Sequence, residues 1–132
     1  KHYVIARTGW GELLVWEPAY GHKYTVNPHF GFVGMEEDVS REIAKGRGDQ
    51  EMRLFFSLQK PKYFDRADHK NCPLFQRAVK KLGALADDEM FYFSPALVIG
   101  DHNDLAHVEK GNLFAQLDIL RGLVELQVLD PI

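Results

Sequence analysis

Over residues 1–35 apolar and polar positions come in short runs broken by glycine and proline, a strand-and-turn rhythm. His2 to Arg7 holds Tyr, Val and Ile, which favour extended backbone. Thr8-Gly9-Trp10-Gly11 punctuates it, and its two glycines supply the positive φ that tight turns use. Glu12 to Trp16 follows, with Leu13, Leu14, Val15 and Trp16 in succession, and predicts a strand buried on both faces. After a turn at Pro18 to Gly21, His22 to Val26 alternates, placing Tyr24 and Val26 on one face and Lys23 and Thr25 on the other. Asn27-Pro28 breaks that run, and Phe30 to Val33 reads as a fourth short strand. Strands joined by links this short make an antiparallel meander.

The period then changes. Val39, Ile43 and Ala44 sit at helical spacing behind Asp38, the predicted N-cap, and Gly46 and Gly48 stop the helix. A second helix capped by Asp49 carries Met52, Phe55, Phe56 and Gln59 and ends before Pro61. The clearest helix runs from about Pro73 to Leu82, with Asn71 as cap and Leu74, Phe75, Ala78, Val79 and Leu82 as apolar stripe. Lys80 and Lys81 fall in its last turn, where the helix dipole favours cations, and Gly83 is its terminator. Met90 to Phe93 predicts a strand, Ala96 to Ile99 a further one, and about Leu113 to Arg121 a last helix. The tail alternates at Val124, Leu126 and Val128 and reads as strand or helix. Strands first and helices after predict an α+β fold: an antiparallel β-meander sheet with helices packed on one face, the 73–82 helix covering it.

A length of 132 residues fits one domain, spanning 1–132. Its 45% hydrophobic and 27% charged residues support a packed core and argue against disorder. No apolar run approaches the roughly 18 residues of a membrane span, and no signal peptide is visible. The chain opens at Lys1 rather than Met, so a preceding domain is expected upstream. Cys72 is the single cysteine, which forbids an intrachain disulfide and suits a reducing cytoplasm. It reads as a small residue at a helix start rather than a reactive thiol.

Net charge is −3, which gives no electrostatic case for binding nucleic acid. Its distribution is uneven. Residues 60–81 carry a basic excess, whereas 84–118 carry Asp87, Asp88, Glu89, Asp101, Asp104, Glu109 and Asp118 against Lys110 alone. Such runs are most often solvated faces; the alternative is an acidic face that docks a basic partner. Trp10 has two readings as well: folded back into its own core, or exposed at a hairpin tip as a contact anchor.

Catalytic signatures are absent: there is no nucleophile elbow, phosphate loop or dinucleotide fingerprint. The strongest metal candidate is Asp101, His102, Asp104 and His107, but a polar loop with a helix cap is the favoured reading of these residues. No catalytic residue, metal or cofactor is therefore expected.

The stretch Pro73 to Gly100, PLFQRAVKKLGALADDEMFYFSPALVIG, resembles a known family, as does Gly11-Glu12-Leu13-Leu14-Val15-Trp16. Both look like the C-terminal domain that follows a GAD-like domain in bacterial type VI secretion immunity proteins. The resemblance rests on Lys80 to Gly83 closing a helix, on Glu89 leading into an aromatic strand, and on Pro95-Ala96-Leu97. A final helix with Leu117, Ile119 and Leu120 also fits; the region around 34–60 matches least. The resemblance implies a non-enzymatic, cytoplasmic protein that neutralises a cognate secreted toxin, typically a DNase. It implies a GAD-like domain that this chain does not include, and it assigns no contact residues. A DNase groove is positive because it holds phosphates, so an acidic face would speed association with it. The candidate contacts are Trp10, Glu36, Glu37 and Asp38, with Asp87, Asp88 and Glu89. Competing readings are a metal-binding or enzymatic module on the 101–107 loop and a SUKH-like interaction domain whose partner is not a toxin.

Overall fold

A computed structural model describes residues 1–100, 102–125 and 127–129. The meander forms as its pattern predicts: β1 (Tyr3–Arg7), β2 (Leu13–Glu17), β3 (Gly21–Asn27) and β4 (Phe32–Met35) pair antiparallel in sequence order. Representative partners are Tyr3 with Trp16, Leu14 with Thr25, and Val26 with Val33. β2 is not buried on both faces: Leu14 and Trp16 are buried, while Leu13 and Val15 keep partial exposure. Four apolar residues in a row therefore carry the ordinary period-two signal of a half-buried strand.

Next come α1 (Ser40–Ala44) and α2 (Gly48–Ser57). They are followed by a 3₁₀ turn at Pro61–Phe64 and by α3 (Phe75–Leu82). β5 (Glu89–Phe93) pairs antiparallel with β6 (Val108–Asn112) in a separate two-stranded sheet. α4 (Leu113–Leu123) leads to β7 (Gln127–Leu129), which joins the first sheet parallel to β4 and completes the order β1-β2-β3-β4-β7. The tail thus resolves as strand; Leu126, one of its alternating residues, lies outside the described residues. Ala96 to Ile99 forms a turn, not a strand. β6 escapes sequence reading because Val-Glu-Lys-Gly-Asn carries one apolar side chain.

The fold is α+β, as expected, with its helices distributed over the two sheets. α2 lies on the meander beside β3, and α4 packs against β5 and β6. α3 sets Leu74 and Ala78 into the core with Phe91, Phe93 and Val108 of the second sheet, so it covers the hairpin. Its start is held by a long-range cap. The Asp65 carboxylate accepts the Phe75 N–H at 2.9 Å and the Arg66 N–H at 2.6 Å. Asn71, the predicted cap, instead takes a left-handed conformation at φ 61° in the preceding turn. Gly83 ends the helix as expected, at φ 90°.

The two sheets meet at the β1–β2 turn. Trp10 is fully buried and stacks on Phe93, centroids 5.3 Å apart, with Phe91 at 5.7 Å. Thr8 shapes the turn by accepting two backbone N–H groups on its hydroxyl, from Trp10 and Glu12. Gly9 lets the Phe75 ring pass against the backbone, where a Cβ would collide, and its carbonyl accepts the Phe91 N–H at 2.8 Å. The tip is therefore stitched into the second sheet.

Candidate functional site

A cleft of about 260 Å³ opens between α2 and the meander. Its α2 wall is Glu51, Leu54, Phe55 and Leu58, spaced i, i+3, i+4, i+7 and hence on one helix face. Trp16 and His22 supply the sheet side, and Glu36 and Glu37, just past β4, supply the opposite rim. Three carboxylates line the cleft, and no Lys or Arg does.

The floor is aromatic. His22 meets Phe55 edge-on with centroids 4.6 Å apart, and Trp16 meets Phe55 edge-on at 6.3 Å. Burial pushes the His22 imidazole below its ordinary pKa, against a smaller opposing pull from Glu36. His22 therefore adds no cation near neutral pH. Glu36 is positioned by Thr25, whose hydroxyl donates to its carboxylate at 2.9 Å, and by Tyr20, whose hydroxyl donates to its carbonyl at 3.1 Å. The rim is also apolar: Leu54 and Leu58 are 50% and 62% exposed. α2 buries no residue fully, unlike α3 and α4. The helix thus rests shallowly on the sheet, and its inward face stays accessible.

Of the sequence-derived contacts, Glu36 and Glu37 come together here with Glu51. Asp38 does not line the cleft. Its carboxylate accepts the Ser40 N–H at 2.8 Å at the start of α1, and hydrogen bonding from Ser40, first its side chain and then its backbone, holds the carboxyl below the usual range. Trp10 is corrected outright. Its ring lies in the core with no exposed surface, and its indole N–H donates to Asp65 at 3.3 Å, so it is no surface anchor.

Asp87 and Asp88 lie between α3 and β5, and Glu89 is the first residue of β5. Glu89 accepts the Ala86 N–H at 2.8 Å and lies 3.9 Å from Lys110, while Arg7 donates to the Asp87 carbonyl at 2.6 Å. Two cations therefore stand beside this acidic turn. The rest of the 84–118 acidic run is dispersed: Asp104 contacts His107 and Asp118 pairs with Arg121. In the 101–107 loop, Asp101 lies outside the described residues. Asp104 accepts from the His107 ring at 2.6 Å and from its N–H at 3.2 Å, the expected cap, and His102 stacks on His107. Among the described residues, no three His, Cys, Asp or Glu side chains gather as a metal site.

The predicted α2 stripe of Met52, Phe55, Phe56 and Gln59 leaves out Glu51, Leu54 and Leu58. The i, i+3, i+4, i+7 spacing of Glu51, Leu54, Phe55 and Leu58 was a signal available in the sequence.

A family model described as T6SS immunity protein Tdi1, C-terminal, matches residues 49–124, more than half of the chain. The chain belongs to that family. The T6SS immunity match takes in the α2 wall of the cleft but not the rim at Glu36 and Glu37. Among solved structures, the crystal structure of Atu4351 from Agrobacterium tumefaciens is similar, with a TM-score of 0.83 at 18% identity. The match covers 98% of this chain and 57% of that chain, and at this identity it shows a shared fold. No curated protein matches the sequence.

Proposed function

We propose that this chain is the toxin-binding part of a type VI secretion immunity protein, acting in the bacterial cytoplasm on a DNase effector. The observation that carries the reading is the family match over residues 49–124. The acid-lined, aromatic-floored cleft supports it, because a surface that holds DNA phosphates is cationic. Placed against such a surface, the carboxylates raise the association rate and disfavour acidic competitors. The role is one of binding, with no reaction catalysed and no cofactor required. No helix among the described residues is long and apolar enough to cross a membrane.

The test is co-purification of the untagged product of the neighbouring effector gene with this chain. Recovery of a stoichiometric complex is expected. If an active effector passes through without being retained, the immunity reading fails.

A further inference from the structure

We infer that the α2–meander cleft is an arginine pocket: it receives a guanidinium side chain flanked by apolar residues on the partner. The inference deepens the immunity reading by naming what the toxin presents. Three features select this occupant. Glu36, Glu37 and Glu51 line the cleft with no Lys or Arg among its walls, so its charge is uncompensated from within. Phe55, with Trp16 and His22 against it, offers ring surface on which a planar guanidinium stacks better than a compact, strongly hydrated ammonium. Leu54 and Leu58, both more than half uncovered or at that mark, give apolar neighbours of that arginine a surface to pack on.

Charge complementarity and the shallow seating of α2 point the same way. An amphipathic helix normally buries its apolar face; α2 lies on β3 yet buries no residue fully. An inserted side chain would complete that packing. The acidic turn at Asp87 to Glu89 has neither the aromatic floor nor the free field, since Arg7 and Lys110 stand beside it.

Two measurements separate this proposal from the immunity reading. The first needs no toxin. The isotope-labelled chain is titrated with acetylated Leu-Arg-Leu amide and with its citrulline isostere, which is uncharged. The arginine peptide is expected to shift the Trp16 indole, His22 and Phe55 resonances, and the citrulline peptide to shift them little. Equal shifts with both peptides, or none at these residues, overturn the pocket whatever the protein's role. The second measures toxin binding by surface plasmon resonance. The Glu37→Gln/Glu51→Gln variant is expected to weaken binding about tenfold or more, whereas Asp87→Asn/Asp88→Asn changes it less than about twofold. Circular dichroism confirms that both variants are folded. Wild-type affinity in the Glu37→Gln/Glu51→Gln variant removes the pocket from the interface while leaving the immunity function standing.

Discussion

Trp10 and His29 show how single side chains join two sheets. The Trp10 ring stacks on Phe93, and its carbonyl is 2.7 Å from the His29 ring nitrogen, whose imidazole meets Phe93 edge-on. Trp10→Ala therefore removes core and is expected to destabilise by about 3–5 kcal/mol in urea unfolding, as for buried aromatics generally. Toxin affinity per folded molecule should stay within about twofold of wild type. A stable variant with weakened binding would return Trp10 to the surface. His29 is held as neutral imidazole, its pKa pushed down to about 4 by burial and then by the Arg66 guanidinium, against the Trp10 hydrogen bond. The charged neighbours facing it are thus Arg66 and, 3.8 Å beyond, Glu12. The unfolded chain takes up a proton near 6.5 and the folded chain only near 4, so stability present above 6.5 is lost as pH falls through that window. The loss attributable to His29 should reach about 2.5 kcal/mol near pH 4.5. Urea midpoints test this: the gap between wild type and His29→Gln should narrow by that amount from neutral pH to about 4.5. A gap that stays constant would contradict a buried neutral histidine.

Among the elements, α3 builds the core and α2 walls the proposed binding cleft. α3 starts where the Asp65 carboxylate gathers N–H groups from Phe75, Arg66 and the Trp10 indole. Asp65→Ala is expected to cost about 1–3 kcal/mol, since it strands donors that are partly buried. Asn71→Gly should be neutral or stabilising, because Asn71 already occupies left-handed space at φ 61°. The reverse order of effects in thermal denaturation would restore Asn71 as the cap. The helix stripe was legible in sequence because Leu74, Ala78 and Leu82 follow its period; the cap was not, because Asp65 is ten residues from Phe75 along the chain. β1 to β4 were legible through turn residues and alternation. β6 was not, since its pairing with β5 depends on tertiary context rather than on Val-Glu-Lys-Gly-Asn itself. The sequence also marked Glu36 and Glu37, but as a charge cluster; their conjunction with Glu51 exists only because α2 folds back beside β3.

At the scale of the molecule, a five-stranded sheet and a two-stranded one are locked by the β1–β2 turn, and the acidic cleft sits away from that joint, on α2 and the strands beneath it. This separation predicts that substitutions in the joint act on stability and those in the cleft on affinity. Electrostatic steering adds a second signature: raising salt should slow association of the wild type far more than of Glu37→Gln/Glu51→Gln, with dissociation moving less. Stopped-flow mixing at two ionic strengths checks it, and equal salt slopes would show that these carboxylates do not steer. Inhibition of the effector is measured by a plasmid degradation assay with the neighbouring effector and increasing amounts of this chain. The effector alone should cleave DNA, and cleavage should stop near one chain per effector molecule. Undiminished cleavage at a large molar excess of the folded chain would contradict the immunity reading.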